Sequence, residues 1–389
     1  MKPSYPRPLQ SIERTLMKKL LFFFLLCSST MHSAEPEIVL GQIVNQSGEF
    51  KKYARSITVG IQACLSHANE QNGGINGKKL RLDVRSDGDN PLEARRLAAD
   101  MQASGTNIFI GCMGRRSITS LLPEIKHGDI SMLFPWSGEV TKDQDKIPHL
   151  INGPGFLEPQ LNTLASYACD AMKMKKIAIL HADDTFSTHN ATALKSAFIK
   201  HGATSVAMES YNRKTLQFNK PCQALAATEP KVVACVGTSM AMVKLVKSFF
   251  TGGQYSTMFL GIDSTCMAKD IVKDLGATIQ YTAAVPNPKT SELPIAKEFV
   301  AALATYDKNA IPNVLSFTYY ISTKLLVEGL QKNAAILSSR ALTRDPCTDL
   351  QQLIKHFEGL AHHDVGGFVV NFDATNRQLF GKHAYLVKD

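Results

Sequence analysis

Apolar positions along this chain switch repeatedly between two periods. Residues 38–44 (IVLGQIV) form an apolar run of strand length. Ile61, Cys64, Leu65 and Ala68 then recur at helical spacing, and Leu80, Leu82 and Val84 alternate as a half-buried strand does. Between them, Asn72-Gly73-Gly74 supplies a glycine for the left-handed residue that closes a helix, and Ile75-Asn76-Gly77 makes a tight turn. The result is a βαβ unit, with its strands parallel in one sheet and a right-handed crossover.

The alternation continues. Pro91 opens a helix over 92–102, where proline suits the first turn. A strand at 107–111, a helix at 115–126 and a strand at 131–135 complete a first lobe. Asn152-Gly153-Pro154-Gly155 interrupts the pattern as a crossing would. A second lobe of the same class follows: helix 157–173, strand 176–181, loop 182–186, helix 190–201 and strand 206–211. A short helix at 223–227, strand 232–237, helix 240–250 and strand 257–262 bring the chain to Asp263. Another crossing is expected at 284–286. Helices are then expected at 294–307, 316–329 and 350–358, and a hairpin over 367–387 turning at 373–377. Strands and helices in this succession give doubly wound parallel sheets. Ligands of such sheets lie beyond the carboxyl ends of the strands, which singles out loops 45–49, 112–117 and 136–140 in the first lobe.

The N-terminus departs from this pattern. Met17-Lys18-Lys19 precedes the apolar run 20–26, and small and polar residues lead to Ser33-Ala34. That is the layout of a secretory signal peptide cut after Ala34. The run is shorter than the ~20 residues of a membrane span, although an uncleaved anchor is an alternative. Cys27 offers a lipoprotein alternative, but Leu26 stands where a lipobox needs a small residue. Residues 1–34 hold five basic residues and one acidic residue, so their removal lowers the net charge from +9 to +5. No block of like charge remains, so the chain carries no nucleic-acid footprint. The seven remaining cysteines are Cys64, Cys112, Cys169, Cys222, Cys235, Cys266 and Cys347, an odd number without CxxC or zinc-ligand spacing. Cys169 and Cys235 sit in apolar patterns where a free thiol behaves as a small hydrophobe. A Cys266–Cys347 bridge is left open.

Several stretches carry a family resemblance: the helix leading into "NGGINGKKL", the "DDTF" loop, "VACVG", "FLGID", and the C-terminal "G…VNFD…Y". From about residue 37 to the end, the chain resembles the type I periplasmic binding proteins, and most closely their leucine/isoleucine/valine and amide-binding branch. The resemblance implies two interleaved lobes joined by a three-crossing hinge. Residues 35–152 plus 286–362 would form the N-terminal lobe, and 153–285 plus 363–389 the C-terminal lobe. It also implies an exported protein that closes on a small polar ligand, an amino acid or related carboxylate or amide, and delivers it to an inner-membrane ABC permease as a monomer. A sensory protein that docks on a membrane receptor or kinase is the alternative.

Enzyme motifs do not compete with this reading. The sequence has no GxGxxG, no GxxxxGK[ST] and no GxSxG after a strand. His362-His363 lacks the spacing of a helical metal pair, and adjacent Asp183-Asp184 side chains diverge, which suits a cap or solvated loop. Asp87-Gly88-Asp89-Asn90 lacks the closing glutamate of a calcium loop. Neither catalysis nor a cofactor or metal is expected.

Carried across residue by residue, the family's ligand-carboxylate loop falls on Gly114, Arg115, Arg116 and Ser117. The loop that meets the ammonium falls on Pro135, Trp136, Ser137 and Gly138. Phe186 takes the place of the closing aromatic and Asp263 that of the acid, and Thr238, at a second-lobe strand end, joins the candidates. Departures from the branch concentrate here. Gly138 lacks a threonine hydroxyl, Phe186 lacks a tyrosine hydroxyl, and Arg115 and Arg116 replace serines. Trp136, the single tryptophan, enters the wall. These changes point to a bulkier or more anionic ligand than leucine.

Overall fold

The computed structural model describes Met1 and residues 37–136, 147–153, 157–333, 346–375, 377–380 and 384–388. Two sheets organise residues 38–389. In the first, β1 (Glu37–Val44), β2 (Lys79–Ser86), β3 (Ile108–Ile110), β4 (Ser131–Leu133) and β5 (Leu150–Ile151) lie in the order β2-β1-β3-β4-β5. In the second, β6 (Lys176–Ala182), β7 (Ser205–Tyr211), β8 (Val232–Val236), β9 (Met258–Gly261) and β10 (Ile279–Ala283) run parallel. β13 (Tyr385–Val387) joins them antiparallel, giving the order β13-β10-β9-β8-β6-β7. This is the expected doubly wound α/β architecture in two lobes.

The first βαβ unit forms for the reasons legible in its sequence. Helix α1 (Lys51–Asn72) buries Tyr53, Ile57, Ile61, Cys64, Leu65 and Ala68 on one face. Gly73 closes it at φ 63°, a conformation that leaves a residue with a β-carbon strained. Asn69 fastens the helix to β2: its Nδ2 donates to the Leu80 carbonyl and its Oδ1 accepts from Leu80 N, both at 2.8 Å. The helix starts ten residues earlier than its apolar stripe at 61–68 announces, because Tyr53 and Ile57 extend the stripe backwards.

Among the described residues the remaining α-helices are α2 (Pro91–Ala103), α3 (Arg115–Ser120), α4 (Leu122–His127), α5 (Leu157–Ser166), α6 (Thr185–Lys200), α7 (Asn219–Ala226), α8 (Ser239–Thr251), α9 (Lys269–Asp274), α10 (Pro294–Tyr306), α11 (Val314–Lys332) and α12 (Pro346–Glu358). The single helix expected at 115–126 is two, broken at Leu121, with Pro123 in the first turn of the second. The C-terminal hairpin also differs from expectation. β12 (Phe368–Val370) pairs with β11 (His363–Val365), while β13 pairs with β10, a strand that the apolar pattern did not announce. The turn at 373–378 is present, closed by reciprocal bonds between Asp373 and Gln378. The β11–β12 hairpin is bonded to the returning helices: Ile295 N donates to the Gly366 carbonyl, and His363 Nε2 lies 2.8 Å from Glu328 Oε2.

Helix α11 is the longest span of continuous burial. Its start is fixed by a capping box, in which Asn313 Oδ1 accepts from Ser316 N at 3.0 Å and Ser316 Oγ accepts from Asn313 N at 3.3 Å. It packs on α1 so closely that a β-carbon at Gly60 would collide with the Ser316 carbonyl. Gly60→Ala is therefore expected to destabilise the protein by ~1–2 kcal/mol. The collision forces the helices apart, at ~1–3 kcal/mol for overpacking, and better helix propensity returns only part of it. Urea unfolding measures the change; a variant at least as stable as the parent would show that the helices separate freely.

Six cysteines, Cys64, Cys112, Cys169, Cys222, Cys235 and Cys266, are buried free thiols, as the apolar pattern suggested for Cys169 and Cys235. Cys266 therefore makes no bridge to Cys347, whose side chain lies outside the described residues. Burial pushes the Cys222 thiol up to about 11 and that of Cys112 to about 12, which leaves both in the unreactive protonated form at neutral pH. Asp184 caps α6 through Ser187 N at 2.9 Å, so the acidic pair at 183–184 serves the local fold.

Candidate ligand-binding site

The carboxyl edge of the first sheet faces the second lobe through the segment after β1. There a 3₁₀ turn (Gly48–Phe50) and the first turn of α1 carry Glu49 and Tyr53. Opposite them stands the N-terminus of α8, whose cap residue is Thr238. Thr238 Oγ1 donates to Glu49 Oε2 at 2.8 Å. The Tyr53 hydroxyl accepts from Ser239 N at 2.8 Å and donates to the Ser264 carbonyl at 2.6 Å. Burial holds Tyr53 far above the usual phenol range, so it stays a neutral donor. Its ring stacks on Trp136, with centroids 5.0 Å apart and planes 22° apart.

Beside this stack lies a small cavity of about 10 Å³, roughly the space of one water. Trp136, Asp263, Ala283 and Ala284 line it, with Val314, Leu315 and Thr318 from the start of α11. Asp263 stands where β9 ends, on the edge where doubly wound sheets hold ligands. Gln160 Nε2 donates to its Oδ2 at 3.3 Å, and Gln160 Oε1 accepts from its backbone N–H at 3.3 Å. Among the described residues no cation pairs with it. Burial pushes its carboxyl up to about 6 against the pull of the Gln160 and Ser264 hydrogen bonds. An apolar pocket holding one poorly satisfied carboxylate is built to receive a hydrogen-bond donor or a cation.

The sequence model of the periplasmic binding proteins matches residues 37–388. The chain belongs to that family. A Leu/Ile/Val-binding protein homologue of Brucella melitensis is 20% identical over 80% of this chain and 83% of its own length. Among solved structures, an extracellular ligand-binding receptor of Verminephrobacter eiseniae superposes with a TM-score of 0.77 at 19% identity, covering 90% of this chain and 97% of that one. A solute-binding protein of an ABC transporter from R. palustris, solved with 4-hydroxybenzoate, gives 0.75 at 16% identity over 90% and 92% of the two chains.

Within this binding protein the sequence-derived residues fall into five groups. Trp136 and Asp263 meet at the cavity, and Thr238 lies on the same seam between lobes. Gly114 and Ser117 sit at the end of β3, where Gly114 N donates to the Trp136 carbonyl at 3.3 Å. The Ser117 hydroxyl is buried without a partner among the described residues. Arg115 and Arg116 are exposed; Arg116 Nη1 lies 3.7 Å from Asp89 Oδ2. Phe186 is half-buried against the second-lobe core, in the first turn of α6, and does not line the cavity. Ser137 and Gly138 lie outside the described residues. Sequence reasoning missed Tyr53, Gln160, Leu315 and Thr318. Tyr53 continues an apolar helical stripe, and the two α11 residues sit in a helix buried on every side, so spacing gave them no separate signal.

Proposed function

We propose that this chain is an exported solute-binding protein that captures a small polar ligand, an amino acid or related carboxylate or amide, between its lobes and delivers it to an ABC importer. One observation carries the reading: Asp263, a half-buried carboxylate without a cation partner among the described residues, lines the pocket where the two lobes meet. A ligand ammonium would complete it, and the buried Ser117 hydroxyl offers a donor for a carboxylate. Capture proceeds by closure of rigid lobes on a ligand that touches both, which shifts the population toward the closed form. On this reading residues 35–152 plus 286–362 form one lobe and 153–285 plus 363–389 the other. The signal peptide at 1–34 and a periplasmic location belong to the same reading, as do a monomeric state and an inner-membrane permease as partner.

The Tyr53–Trp136 wall favours a second ligand class, hydroxylated aromatic acids, whose phenol would donate to Asp263. Calorimetric titration of the exported, refolded protein with the proteinogenic amino acids and with hydroxybenzoates separates the two. Micromolar or tighter binding of one class is the expected outcome. Binding of neither class, together with no small molecule released on denaturing the purified protein, would overturn the reading.

A further inference from the structure

The geometry points to an internal latch: Glu49 and Tyr53 of the first lobe hold the second lobe shut through the N-terminus of α8, and a ligand must displace this latch to enter. The seam is made of protein groups alone. Three hydrogen bonds cross it, from Thr238 Oγ1 to Glu49 Oε2, from Ser239 N to the Tyr53 hydroxyl, and from that hydroxyl to the Ser264 carbonyl. Ser239 Oγ adds a fourth contact at 2.8 Å from the Tyr53 oxygen.

The chemistry is that of oxygen acceptors set against a helix end. The first turn of α8 has N–H groups without intrahelical partners, and its dipole favours negative charge there. Thr238 makes no side-chain cap bond within its own helix. It turns its hydroxyl to the Glu49 carboxylate, which comes from 189 residues away in the chain. Tyr53 answers the Ser239 N–H in the same way. The first lobe thus supplies from its own residues the oxygen acceptors that a carboxylate ligand would bring.

Steric facts make latch and ligand exclusive. With the seam closed, the adjoining cavity is about 10 Å³, far below the hundreds of cubic ångströms of ordinary ligand pockets. The lobes must part before a solute enters. Apparent affinity is then the intrinsic affinity scaled by the unlatched fraction. On the solute-binding reading above, weakening the latch tightens binding; the latch itself does not depend on that reading.

The test uses the protein without any added ligand. Trp136 is the single tryptophan and stacks directly on Tyr53, so its emission reports the seam, and small-angle scattering reports the separation of the lobes. The parent is expected to scatter as compactly as this structure. In Tyr53→Phe combined with Glu49→Ala, the radius of gyration should rise and Trp136 emission should shift to the red. Losing three hydrogen bonds of ordinary net worth moves the closed-to-open ratio roughly a hundredfold toward open. Tyr53→Phe keeps the ring and its stack, and unchanged circular dichroism checks the fold. Thr238→Val removes the same bond from the opposite lobe and should shift both signals in the same direction. A parent already more extended than this structure, or variants matching the parent in both signals, would overturn the latch. Neither result bears on whether a solute binds.

Discussion

Asp263→Asn is expected to abolish high-affinity ligand binding while making the protein more stable. The stability half follows from the carboxyl itself. Burial pushes its pKa up to about 6, whereas an unfolded aspartate titrates near ~3.9. The folded protein therefore binds more protons than the unfolded chain between roughly pH 4 and 6, and its stability falls as pH rises through that window. Above it the full penalty applies, at most ~3 kcal/mol for about two units. Asparagine keeps the shape and can still accept from Gln160 Nε2, but it carries no charge to desolvate. Its melting temperature at pH 7 should rise by a few degrees, and the gain should vanish below about pH 4.

Binding moves the other way. If the ligand carries an ammonium, Asp263 is its partner in a pocket that excludes water, and removing one member of a buried pair costs ~3–5 kcal/mol. Affinity then falls roughly a hundred- to several-thousand-fold. Calorimetry and thermal melts on the same preparations check both halves. Binding within a few-fold of the parent would remove the ammonium from the reading and leave an anionic or amide ligand held by the loop at 114–117. An unchanged melting temperature at pH 7 would show that Asp263 is solvated in the free protein.

Arg377→Ala should lower stability by ~3 kcal/mol, because one buried guanidinium ties the C-terminal return to the segment at 148–150 and to Glu358. Its Nε donates to the Leu150 carbonyl at 3.1 Å, its Nη2 to the Pro148 carbonyl at 2.7 Å and its Nη1 to Glu358 Oε1 at 2.8 Å. The guanidinium also lies over the Phe372 ring, 5.8 Å from the centroid. Its own carbonyl accepts from Asn152 N at 2.7 Å, so the C-terminal return is bound to the segment at 148–152 through side chain and backbone alike. Hydrogen bonds from a charged donor contribute ~1.5–3 kcal/mol each, and water entering the space left by alanine recovers part of the loss. Arg377→Lys should fall between the two, since an ammonium cannot fork to three acceptors in fixed geometry. Urea unfolding is the measurement: the midpoint should drop with an unchanged slope. A loss under about 0.5 kcal/mol would show that these segments are held by their backbone bonds alone.

Much of this molecule is written locally. Ile61, Cys64, Leu65 and Ala68 at helical spacing, then Gly73 and the alternation of Leu80, Leu82 and Val84, set the first βαβ unit. Each of those signals acts within about four residues, so a chain read in isolation carries them. The same holds for most strands of both sheets and for Asp263, which stands at the end of the strand Met258–Gly261 wherever that strand packs. What the sequence left undecided depends on residues far apart. The strand Tyr385–Val387 could pair with 368–370 or with Ile279–Ala283, and its three residues choose between them only through the sheet they complete. Tyr53 reads as one more core position until the fold sets Ser239 against it, 186 residues away. Leu315 and Thr318 lie on a helix buried on every side, where periodicity has no phase to report. The pattern of apolar residues determined the alternation of strands and helices; which side chains meet between the two sheets was decided by tertiary packing, because a seam between lobes has no local period.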